Sequence, residues 1–162
     1  MHLRSGRVCL LAVAAVGLVI LVADTALAQS GNSSLGTWKL RGAMPKLPVG
    51  DSPTSVILTY EAAGAGVKAA LDVMGANGAL AHLEFSGDYD GKDNPVTGSG
   101  QVGSVVALTR LDANTVRLVH KRDGKVIFIQ TEVVSSDGKT MTITTMDAQG
   151  SPVEGVAVWD RQ

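Results

Sequence analysis

From Leu35 to the C-terminus, apolar and polar positions alternate with a period close to two. β-Branched residues dominate, and turn-forming dipeptides break the pattern about every 8–14 residues. The pattern predicts nine strands: Leu35–Arg41, Thr54–Ala62, Gly66–Met74, Ala79–Ser86, Val102–Leu111, Thr115–Lys121, Lys125–Val134, Lys139–Met146 and Val153–Asp160. No stretch carries a convincing helical period. Gly42–Pro53, with Pro45, Pro48 and Pro53, reads as an extended crossing loop. Gly87–Gly100, with three aspartates and Pro95, reads as a long polar loop. Asp-Gly-Lys recurs at Asp90–Lys92, Asp123–Lys125 and Asp137–Lys139. Asp-Gly suits tight hairpins because glycine takes positive φ at no steric cost, so three copies predict a meander of successive hairpins. Such a meander either stacks as two sheets or closes on itself, and closure removes its edges. The expected fold class is therefore all-β: an antiparallel up-and-down β-barrel or half-barrel of about 8–10 strands.

The chain ahead of this region has a different pattern. Arg4 and Arg7 precede Val8–Ala23, a nearly unbroken apolar run of 16 residues, and Ala26-Leu27-Ala28 forms a small-residue cleavage site. The run is shorter than the roughly 20 residues that a bilayer core requires. Residues 1–28 read as an export signal peptide, with an uncleaved anchor as the alternative. The expected location is periplasmic or secreted, with no stable membrane span after cleavage. Residues 29–34 (QSGNSS) read as a disordered polar lead-in, and 35–162 as one domain.

Cleavage narrows the chemistry. It removes Cys9, the only cysteine, which excludes disulfides and thiolate zinc sites from the remaining 134 residues. It also removes Arg4, Arg7 and Asp24, taking the formal charge from −1 to −2. With no basic stripe, nucleic acid is not an expected partner. Gly98–Gly103 fits G-x-G-x-x-G but opens into a strand rather than a helix, so it reads as a loop end and no cofactor is expected. Asp88, Asp90 and Asp93 share a loop but lack the glycine position and distal glutamate of a calcium loop. His82 and Glu84 share a strand face, and a metal or acid–base site would need His120 beside them. There is no nucleophile elbow and no Ser/His/Asp order, so no catalytic residue, no metal and no enzymatic activity are expected.

Gly36-Thr37-Trp38 at the head of the first strand resembles the G-x-W opening of the calycin superfamily, the lipocalins and fatty-acid-binding proteins. The resemblance implies an up-and-down barrel whose closed end holds Trp38, with Arg161 packed across it. The chain also resembles small exported bacterial proteins described as lipocalin-like. That likeness rests on Gly36–Leu40, Thr59–Gly64, Tyr89–Asp93 with Pro95–Gly98, Ser136–Thr142 and Val156–Asp160. It implies a container for a small hydrophobic molecule or lipid, without implying any reaction. The inward faces would then supply Val56, Leu58, Leu71, Leu83, Phe85, Leu108, Leu118, Phe128 and Ile143 as ligand-binding wall residues. The same side chains suit a packed core, as in a structural or protein-interaction module of the cell envelope. A one-residue slip in register would reverse every one of these assignments.

Overall fold

A computed structural model describes residues 31–42, 53–99 and 103–162. The segment expected to be an export signal and most of the expected crossing loop lie outside the described residues. Ten strands follow one another: β1 (Gly36–Arg41), β2 (Ser55–Ala63), β3 (Gly66–Met74), β4 (Leu80–Gly87), β5 (Asp90–Gly98), β6 (Val105–Arg110), β7 (Thr115–Arg122), β8 (Lys125–Val134), β9 (Thr140–Asp147) and β10 (Ala157–Arg161). Each pairs antiparallel with the next, and β1 pairs with β10 to close the barrel. The expected fold class is the observed one.

Alternation explains which side chains turn inward. Val56, Leu58 and Tyr60 on β2 are buried, as are Val116 and Leu118 on β7, with more exposed residues between them. Cross-strand register carries the same face around the wall: Leu58 faces Leu71, Leu71 faces Leu83, and Ala69 faces Phe85. At one end Trp38, Val67, Val116, Val134 and Met141 fill the interior.

Four observations depart from the sequence reading. The segment read as a polar loop from Gly87 to Gly100 contains β5, which completes the barrel between β4 and β6. Its first Asp-Gly-Lys copy is not a hairpin turn: the chain reverses at Asp88-Tyr89, and Gly91 sits at φ 76° where the β5–β6 register shifts. The copies at Asp123 and Asp137 do make hairpin turns, with Gly124 and Gly138 at positive φ. The final strand starts at Ala157 rather than Val153, and Pro152 instead bridges to Met146.

The fourth departure concerns Gly31–Ser34, the described part of the expected disordered lead-in. These residues cross the filled end of the barrel and are tied down there. Asn32 Nδ2 donates to Tyr89 Oη at 2.8 Å, and Ser33 Oγ donates to the Ala113 carbonyl at 3.0 Å. The Ser34 carbonyl accepts Trp38 Nε1–H at 2.7 Å, and the Ser33 carbonyl accepts Arg161 Nη2–H at 2.7 Å. Small polar residues order here because distant side chains satisfy their backbone.

Arg161 also donates to the carbonyls of Gly138 and Leu35, and its guanidinium carbon lies 4.1 Å from the centroid of the Trp38 ring. Gly36 makes room for it. A Cβ at that position would lie 2.7 Å from Arg161 Nη1, and φ is already 119°. The glycine of G-x-W thus leaves space for the cation that covers the tryptophan.

Candidate functional site

The middle of the barrel is not filled. A cavity of about 140 Å³ lies between the plugged end and the opposite end, with a mainly apolar lining. Of the nine wall residues expected from the sequence, Leu58, Leu71, Leu83, Phe85, Leu118, Phe128 and Ile143 line it. Val56 and Leu108 also point inward and are buried, but they pack in the core without bordering the cavity.

Four polar side chains on the lining fall outside the sequence reading: Tyr60, Gln130, Glu132 and the Trp159 indole. Glu132 faces inward from β8, across from Val116 on β7 and Ile143 on β9, and is 3% exposed. Tyr60 Oη donates to Glu132 Oε1 at 2.8 Å. Burial pushes the Glu132 carboxyl up to about 7, only partly offset by that hydrogen bond. Burial, reinforced by the neighbouring acid, pushes the Tyr60 hydroxyl well above its ordinary range. Trp159 Nε1 is buried and has no hydrogen-bond partner among the described residues. An unpaired buried donor carries a desolvation penalty of about 1–3 kcal/mol. In register, Tyr60 pairs with Gly36 and Trp159 with Met141, so these polar groups form the cavity floor, next to the plugged end.

His120 lies on the other side, stacked on Phe128 with ring centroids 4.2 Å apart. Burial lowers its pKa to about 4, so the imidazole is neutral. Its Nε2 lies 3.0 Å from Gln130 Oε1. With the carbonyl oxygen as acceptor, Nε2 carries the proton and Nδ1 is left as an acceptor.

The structure separates the two histidines. His120 lines the cavity, whereas His82 stands on the outer face of β4, with Nδ1 2.6 Å from Asp72 Oδ1 and Nε2 3.4 Å from Glu84 Oε1. The hydrogen bond to Asp72 raises the His82 pKa. Lys68 also reaches Glu84, at 3.0 Å, so His82 belongs to a surface charge network. In the aspartate segment, Asp90 binds Lys92 and Asp93 binds Lys121, which makes them ordinary ion pairs. Among the described residues, no group of histidine, cysteine or carboxylate side chains is arranged to hold a metal. No helix among them is long and apolar enough to cross a membrane.

No family model, curated protein or solved structure matches the chain.

Proposed function

We propose that this protein is a binding module that holds a small apolar or amphipathic molecule inside its barrel and does not transform it. The observation behind this reading is the cavity: walled by strands and partly open to solvent, lined mainly by Leu, Phe and Ile, and supplied with a few convergent polar groups at one end. Such sites are where proteins hold small ligands. The volume favours one class of occupant. A cavity of about 150 Å³ holds a benzene-sized molecule, so about 140 Å³ suits a single ring better than a long acyl chain. The expected export signal and the lipocalin-like resemblance agree with a container working outside the cytoplasm.

Native mass spectrometry of the full chain, purified from the compartment where it accumulates, tests the reading. The expected result is a population carrying one non-covalent adduct that disappears on denaturation. Only bare protein, from preparations in which the cavity also excludes added single-ring compounds, would instead favour a structural barrel.

A further inference from the structure

Resting on that reading, we propose that the cavity selects a small, ring-sized amine and that Glu132 is the counter-ion for its positively charged nitrogen. Glu132 is the starting point. A carboxyl is rarely fully buried without a cation or several donors, because an unpaired ion loses its hydration without compensation. Glu132 is 3% exposed, and its hydrogen-bond partner among the described residues is the neutral Tyr60 hydroxyl. Two arginines at the plugged end, Arg110 and Arg161, are engaged elsewhere. Arg110 stacks 4.3 Å from the Tyr89 ring centroid and donates to the Gly31 carbonyl at 2.8 Å. Arg161 is held over Trp38 by three carbonyls. His120, the remaining basic group on the lining, is held neutral beside Gln130. Among the described residues, the cavity lining therefore carries an acid and no charged cation.

The rest of the lining favours the same occupant. Tyr60, Phe85, Phe128 and Trp159 bring aromatic rings to the cavity, and ring faces attract cations. An ammonium group beside Glu132 would supply the missing positive charge and donate to the carboxylate, while an attached ring fills the apolar remainder. An anion would meet a like-charged carboxyl and no compensating cation. The groups acting on Glu132 are Tyr60 from β2, its hydrogen-bond donor, and Tyr89 from the β4–β5 turn, whose own titration feels the Glu132 charge. His120 from β7 completes the titratable lining.

Three probes of nearly equal size separate charge from fit: benzylamine, benzyl alcohol and benzoate, titrated calorimetrically into the full chain at pH 8. The expected result is benzylamine binding at least about tenfold tighter than benzyl alcohol, and no measurable binding of benzoate. Glu132→Gln, which keeps the shape and an acceptor for Tyr60, should erase the benzylamine advantage, bringing the amine and alcohol affinities to within about twofold of each other. Should that variant fold poorly, the wild-type protein still gives an answer. Between pH 8 and pH 6 its affinity for benzylamine should fall about tenfold as Glu132 takes up a proton, with benzyl alcohol unaffected. Equal affinities for amine and alcohol, or no pH dependence, would overturn the amine proposal while leaving the cavity a binding site. Exclusion of all three probes would overturn the binding reading as well.

Discussion

Replacing Trp38 with alanine should cost about 3–5 kcal/mol of stability, enough to unfold a marginally stable domain outright. The residue is 0% exposed and has the largest side chain among those wholly buried. It pairs with Leu58 on β2 and Arg161 on β10, so it stands at the seam where the barrel closes. Its loss would open a void at the plugged end and leave the Ser34 carbonyl without its donor. It would also remove the ring beneath Arg161. Trp38→Phe isolates the hydrogen bond and should cost much less, because most of the apolar volume remains. Urea unfolding followed by circular dichroism measures both variants. A Trp38→Ala midpoint equal to wild type would show that the plug does not hold the barrel together.

The second large effect concerns pH. Glu132 has a folded pKa of about 7 against an ordinary 4.5, so between those values the folded state binds more protons than the unfolded one. Its contribution therefore makes stability fall as pH rises through that window, by up to about 3 kcal/mol. His120 acts in the opposite direction. Its folded pKa of about 4 lies below the ordinary 6.5, so stability rises with pH from about 4 to 6.5. The two slopes oppose each other between pH 4.5 and 6.5 and flatten the wild-type profile there. Glu132→Gln should unmask the His120 rise. The variant should also exceed wild type at pH 8 by about 3 kcal/mol, less the cost of desolvating the new amide. Urea midpoints at pH 4, 6 and 8 read the effect. Parallel profiles for variant and wild type would show that Glu132 does not titrate as a buried acid.

Where one strand face is clearly polar, the sequence identified the interior. On β3, Lys68 and Asp72 mark the outer face, so Ala69, Leu71 and Val73 are assigned inward without ambiguity. On β8 the signal fails. Ile129 lies on the outer face between Phe128 and Gln130, which line the cavity, so the outer side is at least as apolar as the inner one. The expected inward position of Phe128 puts Glu132 on the same face at period two, yet a carboxyl facing an apolar interior runs against the pattern that marks inner faces. β5 was hidden for another reason. Asp90-Gly91-Lys92-Asp93-Asn94-Pro95 has almost no intrinsic strand preference, and the ladder forms because closing the barrel needs a strand between β4 and β6. The order at Gly31–Ser34 depends on Tyr89, Arg110 and Arg161, which lie far away in the chain. Local composition carries no trace of those partners.

The chain contains two tryptophans, which stand in different surroundings. Trp38 lies in the plug with its indole N–H bonded to Ser34, whereas Trp159 lines the cavity with its indole N–H unpartnered among the described residues. Titrating ¹⁵N-labelled protein with benzyl alcohol and following the two indole N–H resonances therefore reports directly on the interior. A saturable shift of the Trp159 resonance, with that of Trp38 unmoved, is the predicted result. A Trp159 signal unchanged at the highest alcohol concentration, or both signals drifting together without saturation, would contradict an interior binding cavity.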